Sequence, residues 1–120
     1  GAVVGGLIVG EVAVMASGLN GQSFAFNGYL PVKPPERVQA IRRFERRAHA
    51  EGQSQLFIEA PYRNVKLMEQ LLQTLAPETR LTVAMDITAP GEFIRTLRVR
   101  EWRAAELPAM NKRPAIFIIG

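Results

Sequence analysis

Hydrophobic and polar residues alternate along the chain with periods that predict both strands and helices. Residues Ser23–Leu30 alternate aromatic side chains in the manner of a strand, and the apolar run Pro114–Ile119 is typical of the interior of a sheet. Between them, the pattern predicts strands over Gln55–Glu59, Arg80–Asp86 and Phe93–Val99. The chain is therefore expected to contain a sheet of about five strands.

Two segments repeat apolar residues at helical spacing. The first is expected to begin at Pro34-Pro35, where proline is tolerated, and to end near Ala50, with Gly52 at its C-terminus. Its buried stripe is predicted to consist of Val38, Ile41, Phe44 and Ala48. The second helix is expected over Asn64–Leu75, and the residues predicted to face inward are Val65, Met68, Leu71, Leu72 and Leu75.

The order of strand 55–59, helix 64–75 and strand 80–86 is typical of a parallel βαβ unit. Such a crossover is expected to place the C-terminal ends of the two strands side by side at one edge of the sheet. Glu59 and Asp86 stand at these two ends. Because ligands of open α/β sheets bind outside the carboxyl ends of the strands, this edge is where we expect a site. The segment Trp102–Arg113 has no clear pattern.

The two carboxylates have several possible roles. They suit a general acid and base, ligands of a hard cation, or hydrogen-bond acceptors for a small molecule. In the structural alternative, Glu59 pairs with Arg63, and Asp86 bonds the backbone near Thr88. Tyr62 and Arg63 follow Pro61 at the start of the second helix, where they either orient an aromatic or anionic part of a ligand or form a surface corner.

Composition narrows the range of chemistry. At 120 residues, 48% hydrophobic and 22% charged, the chain is expected to form one compact globular domain. With no cysteine and only His49 as imidazole, a disulfide framework and a structural zinc site are excluded, and His49 is expected at the surface. The glycines within residues 1–10 lack the spacing of a phosphate-binding loop.

The N-terminal stretch Gly1–Ala16 is apolar but contains Glu11, and it is shorter than a membrane span of roughly 20 residues. It is expected to form a core helix or strand. No membrane contact is therefore predicted. Because the sequence begins with glycine, it is interpreted as a piece of a longer protein.

The net charge of +4 favours an anionic partner. Four arginines, which we call the arginine face, lie on one side of the first helix with like charges one turn apart: Arg42, Arg43, Arg46 and Arg47. This face either contacts phosphate or RNA, or is a solvated surface relieved by Glu45 and Glu51. The proline-rich segment Pro31–Pro35 is called the proline corner. Lys33 and Arg37 flank its Pro34-Pro35 pair and either face solvent or extend the arginine face.

Four motifs, read in order, resemble the C-terminal half of S-adenosylmethionine-dependent methyltransferases of the tetrapyrrole methylase superfamily. They are MASGLNGQSFAFNGYLPVKPPER at 15–37, LFIEAPYRN at 56–64, AMDIT at 84–88 and KRPAIFIIG at 112–120. The nearest branch resembles the bacterial enzymes that methylate a cytidine ribose 2′-hydroxyl in small-subunit ribosomal RNA. The resemblance covers nearly the whole chain from Met15 onward.

The resemblance implies that residues 1–120 are the C-terminal domain of a two-domain enzyme whose N-terminal domain carries a glycine-rich cofactor loop. The expected fold class is a single α/β domain of two or three layers, with a mixed, partly parallel sheet and flanking helices. S-adenosylmethionine would lie in the cleft between the domains. The positions carried over by motif as cofactor-binding are Ile58, Glu59, Ala60, Ala84, Met85, Asp86, Arg113, Pro114, Ala115 and Ile116.

The expected substrate-binding positions are Lys33, Arg37, Tyr62, Arg63 and the arginine face, and the expected acceptor is ribosomal RNA. A tetrapyrrole acceptor and a non-catalytic binding or dimerisation module remain alternatives. The resemblance further implies a homodimer. A cytoplasmic location is expected, and no metal is expected, since the chain has no cysteine and one histidine. No catalytic residue is assigned, because the sulfonium donor is already reactive and catalysis can rest on alignment. The isolated chain is expected to be inactive, since it lacks the glycine-rich loop.

Overall fold

The computed structural model describes residues 23–87 and 89–120. These ranges contain all five predicted strands and both predicted helices. In chain order, the elements are β1 (Phe24–Tyr29), α1 (Pro34–Glu51), β2 (Ser54–Ile58), a 3₁₀ turn (Pro61–Arg63), α2 (Asn64–Thr74), β3 (Arg80–Met85), β4 (Phe93–Arg98), α3 (Val99–Ala104) and β5 (Ala115–Ile119). The expectations for residues 1–16, and for a turn at 18–22, lie outside the described residues.

The five strands form one mixed sheet in the order β1-β2-β5-β3-β4. β1 is parallel to β2, whereas β5 is antiparallel to both β2 and β3, and β4 is antiparallel to β3. The mixed, partly parallel sheet is thus confirmed. The prediction that β2 and β3 lie side by side is wrong, because β5, whose five residues are all buried, occupies the central position between them.

Helix α1 packs its apolar stripe on one face of the sheet. Its start is favoured by two prolines in the first turn, and it ends where Gly52 adopts a left-handed conformation with φ of 59°. The ring of Phe44 lies 6.1 Å from that of Phe57, which lies 6.0 Å from that of Phe117 on β5. The predicted stripe is correct except that Val38 is only half-buried.

Helices α2 and α3 complete this layer. Leu67, Met68 and Leu71 of α2 are fully buried, whereas Val65, which was expected to face inward, is 41% exposed. In the segment that had no clear pattern, α3 buries Trp102, whose indole N–H donates to the Leu81 carbonyl at 2.8 Å.

The other face of the sheet is also apolar, and its Leu56, Ala84 and Ile118 are fully buried. The described helices all contribute to the first cluster, so the described part of the chain has two layers. None of the described helices is both long enough and apolar enough to cross a bilayer.

Candidate functional site

The candidate site lies at the sheet edge where β2 and β3 end and β5 begins. Ile116 of β5 pairs with Ile58 on one side and with Ala84 on the other, and Ala115 pairs with Met85. The three segments assigned by motif to cofactor binding are therefore contiguous along one edge. The side chains of Ala84, Met85, Ala115 and Ile116 are buried, while Ile58, Ala60, Asp86, Arg113 and Pro114 reach the surface to differing extents.

Glu59 follows β2 and is 6% exposed, so its charge is compensated inside the protein. Its Oε2 accepts a hydrogen bond from Arg37 at 2.5 Å, and its Oε1 accepts one from the Ala60 backbone N–H at 2.8 Å. The structural alternative, in which Glu59 pairs with Arg63, is wrong, since the partner is Arg37 of α1. Glu59 joins the proline corner to the end of β2.

Arg37 is 3% exposed, so the expectation that it faces solvent or extends the arginine face is wrong. Besides Glu59, its guanidinium donates to the Pro31 carbonyl at 2.8 Å and to the Gln70 side chain at 3.2 Å. The sequence does carry a signal for this burial: Arg37 stands four residues before Ile41 and shares its helical spacing with the buried stripe.

Asp86 ends β3 in a left-handed conformation, with φ of 50°. Its Oδ2 accepts a hydrogen bond from Arg113 Nε at 2.7 Å, and its backbone N–H donates to the Pro114 carbonyl. The same guanidinium donates to the carbonyls of Gly91 and Ala109 at 2.7 and 2.6 Å. Arg113 thus joins the loop after β3 to the loop before β5. The contact expected near Thr88 lies outside the described residues.

Asn64, the last residue of the LFIEAPYRN motif, is a member of this site that the sequence analysis did not assign. It is fully buried at the start of α2, and its amide donates to the carbonyls of Met110 and Arg113 at 3.1 and 2.6 Å. Among the described residues, its Oδ1 is buried without a hydrogen-bond partner. In the sequence, Asn64 stands only as the first residue of the predicted second helix. Sequence spacing does not reveal that its side chain is buried or which carbonyls it contacts.

The exposed side of the edge is basic and aromatic. Tyr62, in the 3₁₀ turn, is 64% exposed, and the guanidinium carbon of Arg63 lies 5.1 Å from the centroid of its ring. Lys33, in the proline corner, and Lys66, in the first turn of α2, are both exposed. The structure therefore brings the predicted substrate positions Lys33, Tyr62 and Arg63 to the same edge as the predicted cofactor positions.

The arginine face lies further along α1. Arg42, Arg43 and Arg46 are exposed and Arg47 is half-buried. Glu45, which was considered as a neutralising group, instead accepts hydrogen bonds from the Ala76 N–H and the Thr79 hydroxyl. Within residues 23–87 and 89–120, no ion pair joins the arginine face to a carboxylate. Its positive charge is thus not neutralised by the described part of the chain.

A cavity of about 280 Å³ lies at the opposite sheet edge, where β2 and β3 begin and β5 ends. His49 contributes to its wall and is exposed as expected, with its Nε2 3.4 Å from the Thr79 hydroxyl. This cavity is separated by the length of the sheet from the motif residues. In the described ranges, no group of three histidine, aspartate or glutamate side chains is arranged to hold a metal ion.

Comparisons with known proteins point to the same family as the motifs. Over 114 residues the chain is 26% identical to ribosomal RNA small subunit methyltransferase I of Pseudomonas aeruginosa. The matched residues cover 90% of this chain and 38% of that protein. It is 28% identical over 89 residues to the enzyme of the same name from Vibrio cholerae, covering 74% of this chain and 30% of that protein. No family model matches the chain.

The fold is also shared with a solved methyltransferase. The crystal structure of the methyltransferase CobJ superposes with a TM-score of 0.55 over 90% of this chain and 45% of that one, at 21% sequence identity. The names of the curated relatives agree with the ribosomal RNA branch that the motifs resemble, and the likeness to CobJ shows that the chain shares its fold. The chain spans less than half the length of the proteins that it matches.

Proposed function

We propose that this chain is the C-terminal domain of an S-adenosylmethionine-dependent methyltransferase that modifies a ribose 2′-hydroxyl of ribosomal RNA. The observation that carries the proposal is the pairing of Ile116 with both Ile58 and Ala84, since it unites the three cofactor motifs at one edge. Curated relatives named as ribosomal RNA methyltransferases support the acceptor. Because the chain spans about 38% of such a relative, the remainder would supply the glycine-rich loop.

The edge fits the methyl donor. S-adenosylmethionine combines an adenine ring and ribose hydroxyls with a charged amino-acid end. The half-buried Ile58 and Ala60 offer apolar surface, and the half-buried Asp86 offers a carboxylate that can accept from a hydroxyl or amino group. The buried members, including Ala84 and Met85, would contribute through their backbone groups.

The chemistry asked of these residues is positioning. When bound, the donor supplies a methyl group on a sulfonium that is already reactive. Asp86 and the β2 and β5 ends would hold it, while Arg113 fixes the two loops that bear these groups. Glu59 would act indirectly, because its oxygens pair with Arg37 and Ala60 and its burial leaves little surface for a ligand. No general base is assigned to this chain, and alignment alone contributes substantially to such transfers.

The arginine face and the edge cations would bind the RNA backbone. Phosphate contacts supply affinity without reading sequence, and they suit exposed guanidinium groups that no described carboxylate neutralises. In cells the natural protein would be cytoplasmic, where ribosomal subunits are found. It would also be a homodimer, as the resemblance implies, which light scattering of the purified protein would test.

The test is methyl transfer by the full-length protein that carries this chain. Labelled S-adenosylmethionine is supplied with small ribosomal subunits in one reaction and with a tetrapyrrole precursor in another. We expect label in RNA, mapped to a ribose. We expect this label to be lost in Asp86→Ala, because the substitution removes a contact with the methyl donor S-adenosylmethionine. Label in the tetrapyrrole alone would contradict the acceptor but keep the cofactor. Absence of label from both, together with absence of donor binding, would contradict the methyltransferase proposal as a whole.

A further inference from the structure

A groove runs between the proline corner and the start of α2, beside the candidate site. It encloses about 170 Å³, and its walls are Val32, Pro34, Arg37, Arg63, Lys66 and Gln70. Arg37 lies at its base, where Glu59 neutralises it. The groove is therefore built on the Arg37–Glu59 pair, with its free charges on the rim.

The rim is positive. Of the groove's lining residues, Arg63 is half-buried and Lys66 is exposed, and the exposed Lys33 stands between the lining residues Val32 and Pro34. The described residues provide none of the three with an ion pair. An anionic group that enters the groove would therefore meet cations that no described carboxylate neutralises. A compact anion such as a phosphate suits the small volume of this groove.

An aromatic ring stands beside these cations. Tyr62 exposes 64% of its surface, whereas tyrosine side chains typically have intermediate burial. The Arg63 guanidinium lies over its ring, 5.1 Å from the centroid. This cation–π contact orders the ring and covers one of its faces. The other side is available to a planar partner. Arg63 is shared, since it both contacts the ring and lines the groove.

We propose that this groove binds one nucleotide of single-stranded RNA, with its phosphate on Arg63 and Lys66 and its base stacked on Tyr62. The proposal rests on the proposed RNA acceptor and specifies how the acceptor strand is held next to the cofactor edge. Single-stranded RNA is recognised by stacking on aromatic side chains flanked by cations, a combination that Tyr62 and the adjacent groove residues Arg63 and Lys66 provide. The arginine face differs, because its adjacent aromatic residue, Phe44, is buried. That face can contact phosphates only.

The test measures binding of a fluorescent single-stranded oligoribonucleotide to the full-length protein. Tyr62→Ala is expected to weaken binding by about 5- to 150-fold, in line with the loss of one base stack, while Tyr62→Phe retains it. Lys66→Ala is expected to lower the slope of log K against log salt by about 0.7, because one phosphate contact on a single strand contributes about this amount. Because Tyr62 and Lys66 are exposed, these variants should unfold at the wild-type temperature.

Tyr29→Ala is the matched control, since Tyr29 is equally exposed at 67% but, unlike Tyr62, is not stacked by a groove-lining arginine in the described part of the chain. Equal losses in Tyr62→Ala and Tyr29→Ala, or full binding by Tyr62→Ala, would overturn the groove proposal while wild-type RNA binding leaves the proposed function standing. If wild-type protein does not bind RNA but Tyr62→Ala weakens its binding of a tetrapyrrole carboxylate, both proposals fail. An unchanged dissociation constant for S-adenosylmethionine in Tyr62→Ala separates a strand contact from a donor contact.

Discussion

Arg37 and Glu59 show how a single buried pair determines the shape of the candidate site. Both side chains are almost fully buried, and their charges compensate each other at 2.5 Å. Arg37 also holds the Pro31 carbonyl and Gln70, so one guanidinium links the proline corner, β2 and α2. Loss of either partner would leave the other charge buried and uncompensated, which is far more costly than loss of an exposed pair.

Glu59→Ala is therefore expected to lower the free energy of unfolding by about 3–5 kcal/mol, as for other broken buried pairs. Urea unfolding checks this value. Glu69→Ala, which removes an exposed carboxylate from α2, is the control and should change stability by less than about 0.5 kcal/mol. The double variant Arg37→Met with Glu59→Leu should lose less than Glu59→Ala, because it leaves no buried charge. Equal stability of Glu59→Ala and Glu69→Ala would contradict the structural role.

Asn64 allows a second test at this scale, because its amide and its oxygen have different surroundings. Asn64→Ala removes two hydrogen bonds to carbonyls, and a cost of about 1–3 kcal/mol is expected. Asn64→Asp should cost more, since it replaces the donating amide with a carboxylate that faces two carbonyl oxygens. Thermal unfolding of the two variants ranks them. If Asn64→Asp proved as stable as the wild type, the amide could not be donating to residues 110 and 113 as described.

At the scale of elements, the end of α1 depends on one glycine. Gly52 adopts φ of 59°, and in the described part of the chain no atom beyond its chain neighbours and its own helix lies within 4 Å of the position that a Cβ would occupy. The cost of Gly52→Ala is therefore conformational alone and should be about 1–2 kcal/mol. Gly52→Asn should cost less, since asparagine tolerates the left-handed region better than alanine. Urea denaturation curves give both values, and a greater loss for asparagine than for alanine would indicate a steric contact instead.

The helices were predictable from the sequence because their signals are local. Pro34-Pro35 and Gly52 mark the ends of α1, and the apolar spacing marks its stripe. Strand order was not predictable in this way: periodicity shows that β2 and β3 are strands but contains no information on whether β5 lies between them. That insertion is a long-range choice, favoured because the fully apolar β5 gains most from the central position.

The candidate site, too, was predictable where its signals are local and not where they depend on long-range contacts. The sheet edge was predicted, since Glu59 and Asp86 follow two strands that point the same way. Their partners were not predicted, because Arg37 and Arg113 lie 22 and 27 residues away from them in the chain. Charged residues are usually exposed, so Arg37 was assigned to the surface although its spacing matches the buried stripe. Asn64 was missed because its acceptors belong to a loop without a pattern.

At the scale of the whole molecule, the positive charges fall into two groups with different surroundings. The groove cations lie beside Tyr62 at the edge of the candidate site, while Arg46 of the arginine face lies about 13 Å further along α1 than Arg37, at 1.5 Å per residue. The two groups thus lie at different positions along α1. This arrangement suits an RNA that is held specifically at the edge and by its backbone along α1.

The salt dependence of RNA binding separates the two groups. Replacement of Arg42, Arg43, Arg46 and Arg47 by alanine should lower the slope of log K against log salt by as much as about 3, because each phosphate contact on a single strand contributes about 0.7. The loss should be similar for RNAs of different sequence, since these contacts do not read bases. Filter binding between 50 and 200 mM salt measures it.

An Arg80→Ala/Arg100→Ala variant is the control for total charge. Both arginines are exposed, Arg100 pairs with Glu78 at 2.9 Å, and Arg80 begins β3 at the opposite sheet edge. If the loss of slope followed net charge alone, this double variant should lose half as much as the quadruple variant. A slope that stays at the wild-type value in the control but falls in the quadruple variant assigns the effect to direct phosphate contacts. Equal slopes for wild type and quadruple variant would instead assign the arginine face to solvent, leaving the groove cations as the RNA contacts of this domain.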